Sequence, residues 1–141
     1  MIAIDTNLLI YAHRSGTAEH RSARRAIEKA IGSRGGCGIA LPSIAEFFSI
    51  VTHPAAGGQP SKPAEARGFL AALADAGVLL LGPGPSFAIR LLQIAADLEV
   101  TGPRIFDLQI ALCALDGGAG SVWTNDRRFV KLPGLAIEHP L

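Results

Sequence analysis

Four of the twelve acidic residues stand where a fold would gather them. Asp5 follows the apolar run Ile2-Ala3-Ile4, and Glu46 opens an apolar helical stretch. Asp107 falls one turn inside a late helix, and Asp126 comes directly after Ser121-Val122-Trp123-Thr124. Strand ends and helix starts meet at the carboxyl edge of an α/β sheet, which is where sites form. Two carboxylates in close contact there repel by about 4 kcal/mol at an effective dielectric near 20. Such a set must take up protons or share a cation. Oxygen-only donors suit a hard ion, Mg²⁺ or Mn²⁺. The expectation is a metal-dependent enzyme.

Each acid also has a structural alternative. Asp5, in Asp-Thr-Asn, suits an N-cap for a helix beginning near Leu8. Glu46 follows Ser43 by three residues, the spacing of a capping box. Asp126 suits an N-cap for a helix over 127–131. Asp107 does not fit this pattern, because it lies inside the helix between Phe106 and Leu108, where Asp has poor propensity. A half-buried helical carboxylate needs a partner, either a metal or Arg104 at i−3. Asn7 and Thr124, polar groups at the same strand ends, could hold the carboxylates, or could be ordinary turn residues. The remaining eight acids, Asp116 among them, read as solvated faces and helix ends.

Strands and helices alternate around these positions. The pattern predicts strands at Ile2–Asp5, Ile39–Leu41, Val78–Leu81, Ser121–Thr124 and Leu135–Glu138. Between them it predicts helices at Leu8–His13, His20–Ile31, Pro42–Thr52 and Ala64–Ala76, a helix capped by Ser86 that runs to Leu98, and one from Pro103 or Arg104 to Gly117. The helix His20–Ile31 has an apolar stripe of Ala23, Ile27, Ala30 and Ile31. Residues 54–63 are a Gly/Pro loop, the least ordered stretch expected. The strands are continuous apolar runs, as parallel strands covered on both faces should be. The fold class is therefore three-layer α/β/α, with a central, mainly parallel sheet of about five short strands, in a single domain over 1–141.

Bulk properties narrow the function classes. The chain has 141 residues, 49% hydrophobic and 18% charged, which excludes disorder and permits a full core. No apolar run approaches the ~18 residues that span a bilayer, and the first residues do not resemble a signal peptide. Cys37 and Cys113, without C-x-x-C spacing, suit a reducing cytoplasm. A net charge of +1 leaves room for a local basic surface. Arg104, Arg127 and Arg128 are placed to hold phosphates near the acids. Arg24 and Arg25 read as a solvated helix face. The histidines are dispersed, and no side chain is an obvious general base.

In order and spacing, Asp5-Thr6-Asn7, Glu46, Asp107 and Thr124-Asn125-Asp126-Arg127-Arg128-Phe129 resemble the PIN domain. More narrowly they resemble the VapC-type ribonuclease toxins of toxin–antitoxin pairs. The resemblance covers essentially the whole chain. It implies metal-binding carboxylates at Asp5, Glu46, Asp107 and Asp126, with Asn7 and Thr124 in support. It also implies Mg²⁺- or Mn²⁺-dependent RNA cleavage, a homodimer and a cognate antitoxin. A haloacid-dehalogenase-type phosphatase would carry a second Asp at position 7, where this chain has Asn7. A receiver domain would carry an acidic neighbour beside Asp5. A domain that only binds a partner or nucleic acid is the remaining alternative.

Overall fold

The computed structural model describes residues 1–55 and 59–141; part of the 54–63 loop lies outside the described residues. Five strands form one sheet: β1 (Ile2–Ile4), β2 (Cys37–Ala40), β3 (Leu79–Leu81), β4 (Ser121–Trp123) and β5 (Ala136–Glu138). All neighbours pair in parallel, in the order β3-β2-β1-β4-β5. Six helices connect them: α1 (Thr6–His13), α2 (His20–Ile31), α3 (Leu41–Thr52), α4 (Pro63–Asp75), α5 (Phe87–Asp97) and α6 (Arg104–Asp116).

The side-chain alternation of the strands builds two cores. Ala3, Ala40, Leu81 and Val122 face α5 and α6. Ile4, Ile39 and Trp123 face α1, α2, α3 and α4. The three-layer expectation holds. The strands at the rims differ from the fully covered strands expected, because β3 is an edge and leaves Leu79 and Leu80 exposed. Gly38, in the middle of β2, leaves the space that Leu81 fills, since a Cβ there would meet Leu81 Cγ at 2.7 Å.

The sheet is wound outward from β1 in both directions. The chain steps from β1 to β2 to β3, then returns to the far side of β1 for β4 and β5. The strand order therefore reverses between β1 and β4, the switch point where an open α/β sheet leaves a crevice. Ile4 pairs with Trp123, and Trp123 with Glu138. The next residues, Asp5, Thr124 and His139, consequently line up across the carboxyl edge, joined by Asp5 N–H to Trp123 O and Thr124 N–H to Glu138 O.

Several boundaries move, each for a local reason. Asp5 is not the last residue of β1 but the N-cap of α1, so Thr6 and Asn7 form the first helical turn. Leu41 starts α3 directly out of β2, with Ala40 as N-cap and no side-chain cap. The Ser43–Glu46 capping box therefore does not form; Ser43 is fully buried and its hydroxyl has no partner among the described residues. Residues 127–128 form a turn and 129–131 run on without helix, in place of the helix expected there. Ser86 sits in the left-handed region at φ 55° and makes no cap hydrogen bond.

Candidate functional site

Asp5 is 5% exposed and carries three hydrogen bonds. Its Oδ1 accepts the Thr6 N–H at 2.7 Å, the N-cap bond of α1. Its Oδ2 accepts from Asn7 Nδ2 at 2.7 Å and from the Thr124 hydroxyl at 2.6 Å. Capping and site-building are thus one arrangement, not alternatives.

Thr124 is the hub. Its fully buried hydroxyl donates to Asp5 and accepts from Asn7 Nδ2 at 2.9 Å and from the Asp126 N–H at 3.0 Å. Asn7 Oδ1 in turn accepts the Asn125 N–H at 3.0 Å. The start of α1 and the β4–β5 connection are therefore sewn together across the switch point. Asp126 Oδ1 accepts the Arg128 N–H at 2.8 Å, two residues on, which shapes a tight turn in place of the expected helix.

Glu46 reaches the same place from α3. Its Oε2 accepts the hydroxyl of Thr6 at 2.5 Å. Thr6 is thereby a buried tether between α1 and α3. A hydroxyl beside a strand-end acid was the available signal.

Electrostatics tie the acids together. Burial pushes the Asp5 carboxyl up to about 6; the Thr124 and Thr6 hydrogen bonds oppose this, and the charges of Glu46 and Asp107 add to it. Asp107, half-buried on α6, is also raised, first by burial and then by Asp126 and Glu46, while Arg104 and Arg128 act against the rise. All four predicted carboxylates therefore belong to one mutually repelling set. Even so, among the described residues no three Asp, Glu, His or Cys side chains are gathered tightly enough to hold a metal ion. The donor chemistry nevertheless suits a hard cation.

Of the predicted arginines, Arg104 is tied down: its Nη2 donates to Arg128 O at 2.6 Å, fastening the start of α6 to the loop that carries Asp126. Arg127 and Arg128 are exposed. No histidine is hydrogen-bonded to these acids among the described residues. His13 packs edge-on to Phe47 and Phe69 and pairs with Ser61, while His20 Nδ1 meets Tyr11 O. His139 Nδ1 donates to the Thr124 carbonyl at 2.8 Å. Asp116 overturns its reading as a solvated helix end: its side chain is 8% exposed, accepts the Gly84 N–H and forms a two-pronged pair with Arg90.

A fold with its switch point between β1 and β4, and four acids around it, defines a class. The PIN domain model matches residues 2–135, and the chain belongs to the PIN-domain family. Full-length relatives lie within its VapC-type ribonucleases. Ribonuclease VapC43 of Mycobacterium tuberculosis is 31% identical over 143 aligned positions, covering 100% of this chain and 96% of the relative. Ribonuclease VapC48 of the same organism is 23% identical over 137 positions, covering 96% of this chain and 94% of the relative. Among solved structures, Mycobacterium tuberculosis VapC20, described as a sarcin-ricin-loop-cleaving toxin, superposes with a TM-score of 0.69 at 12% identity, covering 92% of each chain. VapBC2 from Rickettsia felis, bound to a promoter DNA fragment, gives 0.66 at 19% identity over 98% of each chain.

Proposed function

We propose that this chain is a metal-dependent endoribonuclease, the toxin of a toxin–antitoxin pair, with Asp5, Glu46, Asp107 and Asp126 as its catalytic carboxylates. The observation that carries the reading is the electrostatic coupling of these four acids around the β1/β4 switch point, with Asp5 raised to about 6 by burial and by the charges of Glu46 and Asp107. The full-length likeness to VapC-type ribonucleases supports the reaction class.

The four carboxylates would hold Mg²⁺ or Mn²⁺, which would polarise the phosphodiester and make water nucleophilic at neutral pH. Thr124 and Asn7 lock Asp5 in one orientation, so its charge is aimed before substrate arrives. Thr6 gives the exposed Glu46 a single hydrogen-bonded tether, which it can exchange for another partner. The exposed Arg127 and Arg128 lie where they can take the phosphates of an RNA strand. Arg104 contributes by fixing that turn.

The resemblance further carries a cognate antitoxin as partner and a homodimer as the assembly. The exposed apolar side chains of Leu41, Phe48, Leu92 and Phe106 support a protein-covered surface. No helix of the described residues is long and apolar enough to cross a membrane. The two free, buried cysteines suit a cytoplasmic setting.

Cleavage of structured RNA with Mn²⁺ or Mg²⁺ against EDTA, beside Asp5→Asn and Asp107→Asn, tests the proposal. Metal-dependent cutting that both variants lose supports it. Absence of cutting and of metal binding by the wild type would instead favour a domain that only binds a partner.

A further inference from the structure

A second feature lies on the same edge of the sheet, beyond β4. A cavity of about 520 Å³ opens between α2 and the ends of β4 and β5, lined by Ser22, Arg25, Lys29, Trp123, Glu138 and His139 among others. Ser22, Arg25 and Lys29 share one face of α2, at spacings of three and four residues. The amphipathic pattern of α2 assigns this face to solvent, yet the fold turns it towards the sheet edge and makes it one wall of a concave pocket.

The two cations of that pocket are only partly offset from within, by the single acid Glu138. Among the described residues, neither Arg25 nor Lys29 has a carboxylate partner, the Arg90–Asp116 pair being the ion pair found there. Lys29 Nζ lies 5.9 Å from the centre of the Trp123 ring, whose face favours a cation. Glu138, the acid in the cavity, has its Oε2 turned to Trp123 Nε1 at 3.1 Å. His139 is anchored through Nδ1 to the Thr124 carbonyl, which leaves Nε2 as its second polar atom.

The pocket is also in register with the carboxylates. Asp5, Thr124 and His139 follow paired residues on adjacent strands. Neighbouring strands lie about 4.8 Å apart, so His139 stands roughly 10 Å from Asp5 across the edge. A nucleic-acid strand carries a phosphate about every 3.4 Å of rise, so that distance spans only a few nucleotides.

We propose that this cavity is a phosphate-binding groove that carries the RNA strand away from the carboxylates, with Arg25 and Lys29 as its cationic wall. Ser22 and His139 supply further polar contacts. The groove confers binding rather than chemistry: it lengthens the RNA footprint and fixes the direction in which the strand leaves the site. This rests on the ribonuclease reading above.

The test measures binding of a short, fluorescent, single-stranded RNA by anisotropy across a salt series, in an Asp107→Asn background that suppresses cleavage. Arg25→Gln/Lys29→Gln should reduce the slope of log K against log salt by about 1.4, since each lost phosphate contact on a single strand removes about 0.7. Arg67→Gln, an exposed arginine of α4, should leave the slope unchanged. An unchanged slope in the double variant overturns the groove alone. An equal loss in Arg67→Gln also overturns it, because the effect then belongs to the general field of the protein. If the Asp107→Asn protein and the wild type in EDTA both fail to bind RNA, the ribonuclease reading falls and the groove with it.

Discussion

Replacing Thr124 with valine removes one hydroxyl and keeps the shape of the side chain. That hydroxyl is fully buried and makes three hydrogen bonds, so the cost follows from what each partner loses. Asp5 Oδ2 loses a donor; hydrogen bonds to charged groups contribute about 1.5–3 kcal/mol. The Asp126 N–H loses its acceptor, at roughly 1 kcal/mol for a half-buried amide. Asn7 Nδ2 still has Asp5 and loses little. The sum is about 3 kcal/mol, or roughly a 10 °C fall in Tm for a domain of this size. Thr124→Ser retains the hydroxyl and loses only a methyl group, about 1 kcal/mol. Chemical denaturation and thermal melts at pH 7.5 in EDTA measure both variants. The loss should shrink at pH 4.5, where a protonated Asp5 no longer needs a charge-stabilising donor. Full stability of Thr124→Val at pH 7.5, or an equal loss at both pH values, would refute the hub.

Asp5 itself should make stability in EDTA pH-dependent. Its folded pKa is raised from 3.8 to about 6, so between those values the native state binds more protons than the unfolded state. Stability is then highest below about 4, falls as pH rises through 4 to 6, and levels off above, by at most about 3 kcal/mol. Melts in EDTA should show this fall in wild type and a flatter profile in Asp5→Asn; parallel profiles would exclude Asp5 as its source. Asp116 has the opposite sign: the Arg90 hydrogen bond holds its carboxyl below the usual range, so its contribution is present at neutral pH and lost as pH falls below about 4. Asp116→Ala should lower Tm at pH 7 by a few degrees, since the Gly84 N–H loses its acceptor at about 1 kcal/mol, and should leave RNA cleavage unchanged. Gly38→Ala should cost about 1–3 kcal/mol by overpacking against Leu81, and a Leu81→Ala second change, which clears the side-chain clash and leaves a tight 3.0 Å contact with Leu79 O, should cost less in its presence than alone.

How much of this was legible in the sequence depended on how local the cause was. Helix α2 was readable to the residue because its stripe of Ala23, Ile27, Ala30 and Ile31 carries the signal throughout its length. The start of α3 was not. Ser43 and Glu46 have capping-box spacing, but the chain turns from β2 straight into a helix, which buries Ser43 and frees Glu46 for Thr6. The turn after Asp126 misled in the same way: an Asp that would cap a helix also accepts a backbone N–H two residues on. Asp116 offered no local sign at all, because its partners, Arg90 and Gly84, lie 26 and 32 residues away in sequence.

Capping explained three of the four acids from sequence and left Asp107 over. In the structure Asp5 does cap its helix, yet its other oxygen meets Asn7 and Thr124, and its charge meets Glu46 and Asp107. The proposed catalytic role of Asp5 therefore could not be separated from its structural role by looking at Asp5. Asp107 was diagnostic because capping does not account for it: the first turn of α6 favours an acid through the helix dipole, but this one is half-buried and feels the charges of Asp126 and Glu46. Parallel register then explains why the other members are there. Once Ile4 pairs with Trp123, the residues that follow each must meet at the sheet edge, and one buried threonine can bind both chains. The spacing 5, 124, 126 is therefore a consequence of strand pairing. Glu46 and Asp107 enter from helices on opposite faces of the sheet, α3 and α6, which themselves touch. The proposed site draws its acids from four separate elements, so side-chain rotation on fixed backbones is the smallest movement that would tighten it onto a cation. The two acids best placed to do so are Glu46, which is exposed, and Asp126, which sits in a turn. Asp5, held by three hydrogen bonds, is the fixed point around which they would close.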